Sequence, residues 1–194
     1  MMLSSMNKIT LLDLNDNCLR VCEERIKDVC NRTDASSLPA VSKLLVNIMT
    51  PTRTTTTTTT NDDGNDLSYP PPATPLTLMS GKFQSVGANF LFHCLHGSSL
   101  YDKIDAFRNC ASLLDPIDGV FFGSTILGKE ILDDETNAGE TAMHVLRQFN
   151  TVGVFGNMGD SFQDLKDILT ETFEDVDLNR IGYCGVWTAR HPRI

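Results

Sequence analysis

The sequence lacks an apolar run long enough to cross a bilayer, and residues 1–8 lack a basic-led apolar signal segment. It also lacks an excess of positive charge. The formal net charge of the 194 residues is −9, which repels nucleic acid phosphates and anionic lipids. We therefore expect no nucleic acid partner, no membrane partner and a cytosolic protein.

The sequence has no cysteine pattern typical of a disulfide framework or a metal site. Six cysteines are present without a CxxC pair, and Cys18 and Cys22 lie one helical turn apart. With 41% hydrophobic residues, a chain of this length can form a stable core without disulfide bonds. Cys94 lies beside His93 and His96, but no second ligand cluster completes a metal site. We expect no metal, and reduced, mostly buried thiols.

Apolar periodicity is missing from residues 51–82. This stretch contains an unbroken threonine run at residues 54–60, followed by acidic and proline-rich segments. Such composition predicts a disordered surface insertion within one domain spanning residues 1–194. A phosphorylated or partner-binding segment is the alternative to a tolerated loop insertion, and we favour the loop.

Elsewhere, short apolar runs alternate with amphipathic segments. The pattern predicts strands at residues 8–14, 44–49, the start of 83–95, and 120–127. It predicts helices after Asn15 and at residues 101–114, 136–149 and 161–173. The inward face of the helix at 101–114 is expected to carry Ile104, Phe107, Ala111 and Leu114, and Ser161 with Asp164 resembles a capping box at the start of the helix at 161–173. The inward face of the first helix is expected to carry Cys18, Leu19, Cys22, Ile26, Val29 and Cys30. This alternation predicts an α/β fold with a mainly parallel sheet, closed by an antiparallel strand within residues 176–189.

Several stretches in a fixed order resemble one family. The chain is similar to fungal methyltransferases that act on small natural products, including the gliotoxin-type dithiol S-methyltransferases. The resemblance runs from about residue 8 to the C-terminus, apart from the insertion. It implies a Rossmann-like class I methyltransferase sheet and S-adenosylmethionine as cofactor. The stretches are ITLLDLNDNCL (9–19), NFLFHCLHG (89–97), DGVFFGSTILG (118–128), FNTVGVFGNMGDS (149–161) and RIGYCGVWTAR (180–190).

The resemblance also implies cofactor-binding residues. An acid ending the family's second strand takes the ribose hydroxyls, which places Asp13 there, with Leu14 beside it. Asn47 occupies the position of the family's adenine-binding Asp, with Ile48 next to it, and its amide oxygen can accept a hydrogen bond. The alternative for Asp13 is a simple helix-start residue.

The exit of the family's fourth strand, residues 89–95, is expected to border the methyl group and the acceptor. Asn89 and His93 are therefore assigned to the cofactor site. His93 is also a candidate general base, because imidazole titrates near neutrality, although it can equally be a pocket or structural residue.

Residues 149–157 resemble a substrate lid in the family. Asn150, Phe155 and Asn157 are expected to face the acceptor, a small molecule. The alternative is an ordinary glycine-rich loop before a helix.

The resemblance further implies a strand, a Gly-rich turn and a helix that nothing before Lys8 supplies, so the chain is expected to start at the family's second strand. The missing first strand would leave unpaired sheet edges. The two sheet halves could rejoin, a homologous methyltransferase subunit could fill the gap, or the chain could be marginally stable. A shortened gene prediction explains the same pattern.

Three functions follow from these features. The first is methyl transfer to an O, N or S atom of a small natural product. The second is an inactive methyltransferase remnant serving as a binding or scaffold subunit, favoured by Asn47 and by Gln84 in place of a family acid. The third, a metal-dependent hydrolase, has little support because its ligand set is incomplete.

Overall fold

The computed structural model describes residues 7–32, 39–50 and 79–193. These residues fall into two compact units, divided at Ile48 and Met49. Residues 51–78, most of the expected insertion, lie outside the described residues, so disorder there stays a prediction. The single-domain organisation stays a prediction as well.

The N-terminal unit, as far as it is described, is a parallel strand pair joined by a helix. It comprises β1 (Lys8–Asp13), α1 (Asp16–Arg32) and β2 (Ala40–Leu45). The strands pair in register from Lys8 opposite Ala40 to Asp13 opposite Leu45. Parallel strands need a crossover connection, which α1 supplies. Both strands therefore end at the same edge of this small sheet.

Helix α1 has many surface ion pairs and few buried side chains. Leu19 and Cys30 are its buried residues. The expected burial of Cys18 and Cys22 is wrong, since both are exposed, and Cys94 is exposed too, so the thiols are not mostly buried. The two-stranded sheet of β1 and β2 is too narrow to cover the whole predicted inward face of α1. Pairs four residues apart support the helix instead: Arg20–Glu24, Lys27–Glu23 and Arg32–Asp28.

The C-terminal unit contains a four-stranded mixed sheet. Its strands are β3 (Ser85–Asn89), β4 (Val120–Ile126), β5 (Phe173–Ile181) and β6 (Cys184–Pro192), in the order β3-β4-β6-β5. Strands β3 and β4 are parallel, whereas β6 runs antiparallel to both β4 and β5. The predicted α/β class and the antiparallel closure are confirmed.

The helices of this unit are α2 (Ile104–Leu113), α3 (Gly128–Asp133), α4 (Glu135–Thr151) and α5 (Phe162–Thr172). Helices α2, α4 and α5 lie near the predicted segments, whereas α3 was not predicted, and a non-helical backbone conformation at Gly139 interrupts α4. The hydroxyl of Ser161 accepts a 3.0 Å hydrogen bond from the backbone N–H of Asp164, so the predicted cap of α5 is present. None of the helices within the described ranges is both long and apolar enough to cross a membrane.

The core of the C-terminal unit is a cluster of aromatic rings. The rings of Phe92 and Phe107 stack with centroids 3.8 Å apart, and Trp187 contacts both of them. Phe121 of β4 stacks on Phe173 at 5.5 Å. A side chain at Gly123 would overlap the Trp187 ring, so glycine lets the indole lie against β4. This cluster fixes the position of the short 3-10 turn Phe92–Cys94.

Two predicted boundaries differ from the structure. The strand expected at residues 44–49 lies at Ala40–Leu45, because its pairing with β1 ends at Leu45. At the end of the expected insertion, Gly81 and Lys82 donate backbone hydrogen bonds to Ser112 and Leu113 at the end of α2. Local backbone pairing thus begins before Phe83.

Candidate functional site

Strands β3 and β4 end side by side at one edge of the sheet in the C-terminal unit. Asn89, the last residue of β3, is the register partner of Ser124. The Ser124 hydroxyl donates a 3.4 Å hydrogen bond to the side-chain oxygen of Asn89. In open α/β sheets, ligands bind outside the carboxyl ends of the strands. This edge is therefore the candidate site of the C-terminal unit.

Phe90 begins the exit from β3 in an unusual backbone conformation. Its φ is 53°, in the left-handed region that bulky residues rarely adopt. Its backbone N–H donates a 2.8 Å hydrogen bond to the carbonyl oxygen of Ser124. The side chain is 54% exposed. The strand exit thus presents an aromatic ring to solvent at the edge of the sheet.

His93 lies buried in the 3-10 turn and is 4% exposed. Within the part of the chain that the structure describes, its buried Nδ1 has no hydrogen-bond partner. Burial, together with the positive charge of Lys103, lowers the pKa of His93 to about 4. The imidazole is therefore neutral at physiological pH and retains one donor and one acceptor nitrogen.

Two further rings connect His93 with the end of α4. The Phe155 ring stands edge-on to the imidazole with centroids 4.7 Å apart. Phe155 in turn contacts Phe149, at 5.0 Å, and Phe149 is 39% exposed. On the other side, Phe90 meets the imidazole edge-on at 5.8 Å. The structure thus brings two predicted residues, His93 and Phe155, together with two that the sequence did not single out.

The loop that carries Phe155 is fastened by two asparagines. The Asn150 amide nitrogen donates to the Asn157 side-chain oxygen at 2.9 Å, and the Asn157 backbone N–H donates to the Asn150 side-chain oxygen at 3.0 Å. Asn157 is fully buried and also donates to the carbonyl oxygen of Ile126. Gly156 donates its N–H to the His93 carbonyl oxygen at 2.8 Å. These bonds hold the loop against the 3-10 turn, and contact of the asparagines with substrate stays a prediction.

A buried ion pair supports the same region. The ammonium of Lys103 lies 2.8 and 2.9 Å from the two carboxylate oxygens of Asp160, and both side chains are fully buried. Burial raises the pKa of Asp160 to about 6, against the opposing charge of Lys103. Sequence reasoning missed this pair. Its one signal was spacing, because Lys103 lies four residues before Phe107 on the inward face of the predicted helix.

The remaining predicted residues lie at the carboxyl ends of β1 and β2 in the N-terminal unit. One carboxylate oxygen of Asp13 accepts a 2.8 Å hydrogen bond from the backbone N–H of Asn15. Leu14 is 65% exposed. Asn47 and Ile48 follow β2 by two and three residues, at the edge where Asp13 ends β1. Among the described residues, the second carboxylate oxygen of Asp13 has no hydrogen-bond partner, which fits a ribose diol.

The described ranges hold no group of three or more His, Cys, Asp or Glu side chains placed to bind a metal ion. The edge of the C-terminal unit carries the imidazole of His93, the amide of Asn89, the exposed thiol of Cys94 and an exposed aromatic ring, Phe90. Together these groups can orient a neutral organic molecule and form hydrogen bonds with it.

Comparisons with known proteins connect the chain to methyltransferases. No protein-family model matches it. It is 30% identical over 182 residues to demethylluteothin O-methyltransferase of Streptomyces thioluteus, covering 94% of this chain and 61% of that protein. It is 28% identical over 187 residues to N-methyltransferase vrtF of Penicillium aethiopicum, covering 96% of this chain and 61% of that protein. The chain thus spans about 61% of the length of these relatives.

A solved structure shares the fold. An O-methyltransferase family protein from Burkholderia thailandensis superposes with a TM-score of 0.53 at 11% identity, over 95% of this chain and 43% of that one. At such low identity the likeness concerns the fold alone. The fold is therefore the Rossmann-like α/β fold that class I methyltransferases have, and the sequence is similar to those of bacterial and fungal methyltransferases.

Proposed function

We propose that this protein transfers a methyl group from S-adenosylmethionine to an O, N or S atom of a small natural product in the cytosol. The observation that carries the proposal is the neutral, buried imidazole of His93, whose Nδ1 lacks a partner among the described residues. It lies just beyond β3, where ligands bind in this class of sheet. The names of the relatives, an O- and an N-methyltransferase, support the reaction class.

When bound, S-adenosylmethionine supplies an electrophilic methyl group on a sulfonium sulfur. In the N-terminal unit, Asp13 would hold the ribose hydroxyls, with Leu14 beside it, and Asn47 and Ile48 would hold the adenine. In the C-terminal unit, Asn89 and His93 would border the reacting atoms. Two atoms without a hydrogen-bond partner among the described residues support these assignments: the second carboxylate oxygen of Asp13 and Nδ1 of His93.

His93 is proposed to position the acceptor rather than to deprotonate it. A general base works best when its pKa lies near the operating pH. With its pKa lowered to about 4, the imidazole is a weak base at pH 7 but a good hydrogen-bonding group. Holding an acceptor in line with a methyl group accelerates transfer by orientation alone.

The second candidate function is a non-catalytic binding or scaffold subunit. In the described residues, β1 and β3 lie in separate sheets, and each is an edge strand. Unpaired edges invite pairing with another chain. Under this proposal the partner is a homologous methyltransferase subunit, and the chain needs no cofactor of its own.

Calorimetric titration of the 194-residue chain with S-adenosylhomocysteine separates the two functions. We expect micromolar binding, and we expect Asp13→Asn to weaken it about tenfold or more, because a charged hydrogen bond to the ribose is lost. Asp118→Asn, which changes an exposed aspartate in the turn before β4, is the matched control and should bind like the unaltered chain.

Absence of binding heat at millimolar ligand would rule out the enzyme function for this chain and favour the scaffold. Equal weakening by both substitutions would show that Asp13 acts through general charge and not through the ribose.

A further inference from the structure

Helix α1 carries two exposed thiols on one side. Leu19 and Cys30 are each 2% exposed and pack inward, whereas Cys18 and Cys22 are exposed to solvent. Cysteine is among the residue types most often buried, even without a disulfide. Packing within the described part of the chain therefore does not account for cysteines at these two positions. Their exposure, which the sequence did not predict, makes both sulfur atoms accessible to a ligand.

The spacing of the two thiols suits a single bridging atom. Cys18 and Cys22 lie four residues apart within the regular helix Asp16–Arg32, and Cβ atoms at this spacing are about 5–6 Å apart. A disulfide needs Cβ atoms only about 3.5–4.5 Å apart, so a direct bond between the sulfurs fits poorly. Two metal–sulfur bonds of about 2.3 Å each span the wider gap.

The number of ligands selects the kind of metal ion. The described ranges contain no group of three or more His, Cys, Asp or Glu side chains that could hold a metal. Zn²⁺ in structural sites takes four protein ligands in a tetrahedron, and two thiols supply half of them. Thiolates are soft ligands that favour Cu(I), a closed-shell ion that is stable between two sulfur atoms. The pair therefore matches Cu(I) better than Zn²⁺.

The charge on this side of α1 is also suitable. When Cu(I) binds, each thiol releases its proton to solvent, so the ion and its two thiolates together carry one negative charge. Arg25 lies three residues after Cys22, and residues at this spacing are neighbours on a helix surface. Its guanidinium is 3.8 Å from Asp28, and its side chain is 76% exposed. A positive charge is thus available next to the bound ion.

We infer that Cys18 and Cys22 form a two-coordinate site for Cu(I) on the exposed side of α1. The ion lies between the two sulfur atoms, and its oxidation state does not change on binding. The site is separate from the edge of the C-terminal unit and goes beyond the proposed methyl transfer. It requires neither S-adenosylmethionine nor an acceptor.

The test is an anaerobic titration of the reduced 194-residue chain with Cu(I), in competition with the chromogenic chelator bicinchoninate. We expect one tightly held Cu(I) per chain. Cys18→Ser and Cys22→Ser should each weaken binding by about a hundredfold or more, because the second thiol no longer acts at a high effective concentration. Cys94→Ser is the matched control, since Cys94 is an exposed thiol of the C-terminal unit, and it should leave the affinity unchanged.

Two double variants separate the spacing of the thiols from their number. Cys22→Ser with Val21→Cys keeps the thiols on neighbouring positions of the helix surface, three residues apart, and should bind Cu(I) much more tightly than Cys22→Ser alone. Cys22→Ser with Arg20→Cys places them two residues apart, where they face away from each other, and should bind no better than Cys22→Ser.

Several results would overturn the inference. These are full affinity in either single variant, loss of binding in Cys94→Ser, equal affinity of the two double variants, and binding of Zn²⁺ as tight as that of Cu(I). Titration with S-adenosylhomocysteine does not involve the thiols, so the proposed function stands or fails independently of this result.

Discussion

Lys103 and Asp160 are fully buried charged residues whose partnership joins positions 57 apart in the sequence. The local pattern of apolar and polar residues predicts that charged side chains face solvent. It contains no information on an ion-pair partner that lies 57 residues away in the sequence. The predicted inward face of the helix at residues 101–114 therefore consisted of apolar residues alone. A buried pair of this kind is costly to break because the remaining charge loses its compensation.

Lys103→Met tests this cost. We expect the free energy of unfolding to fall by roughly 3–5 kcal/mol at neutral pH, because the Asp160 carboxylate stays buried without its counter-charge. Removing Lys103 raises the pKa of Asp160 further above about 6, since Lys103 is the group that lowers it. The folded state then holds the proton more tightly than the unfolded state. Part of the loss should therefore be recovered as pH falls from 7 towards 4, as measured by urea unfolding.

The double variant Lys103→Met with Asp160→Leu is the matched comparison. It replaces both charges by apolar groups, so we expect a stability close to that of the unaltered chain with little of this pH dependence. A single variant as stable as the double at neutral pH would contradict the expected cost of leaving the Asp160 carboxylate buried without a counter-charge.

Phe90 allows a separate test of backbone strain. Glycine adopts positive φ without penalty, whereas alanine does not. We expect Phe90→Gly to be more stable than Phe90→Ala by about 1 kcal/mol in thermal or urea unfolding. The same pair of substitutions at Phe122, within β4, should give the opposite order, because glycine weakens a strand interior. The same order at both positions would argue against strain at Phe90.

At the level of elements, the sequence predicted helices better than their buried faces. Helix α5 and its Ser161 cap were predicted because Phe162, Leu165, Ile168 and Leu169 recur at helical spacing. Helix α1 was predicted too, but the spacing of its apolar residues does not show how much of the neighbouring sheet is available to pack against them. Strand β2 was displaced along the chain because pairing with β1, and not the apolar run itself, sets its limits.

Glu23 is the residue that joins α1 to β2. It accepts hydrogen bonds from Lys27 at 2.7 Å and from Lys43 of β2 at 2.9 Å. These bonds, led by that from Lys27, lower the pKa of Glu23 from 4.5 to about 2. Because the folded pKa lies below the unfolded one, the stabilisation is present above pH 4.5 and is lost as pH falls through about 2.

Glu23→Gln should remove that stabilisation at neutral pH and flatten the acid response of the N-terminal unit between pH 4.5 and 2. Amide hydrogen exchange of α1 and β2 measures it. The neighbouring Glu24→Gln is the matched control, since Glu24 pairs with Arg20 inside the helix. We expect a smaller effect from Glu24→Gln, and equal effects would contradict the joining role of Glu23.

For the molecule as a whole, the class of fold and the edges that carry the candidate residues could be predicted, because acids and amides after apolar strands mark the carboxyl ends of a parallel sheet. Asp13, Asn89 and His93 were assigned from the resemblance to methyltransferases, and their roles stay predictions. The positions of the exposed rings Phe90 and Phe149 were not predicted. They depend on a positive backbone angle at Phe90 and on ring contacts across the fold, which composition and spacing do not encode.

The aromatic core makes it possible to measure the unfolding of the two units separately. Trp187 is the only tryptophan in the chain, and it is 2% exposed among the rings of the C-terminal unit. Its fluorescence therefore reports the unfolding of the C-terminal unit. The far-ultraviolet circular dichroism signal also contains a contribution from helix α1 of the N-terminal unit. Divergence of the two optical signals during heating would show the order in which the units melt, without any label being attached.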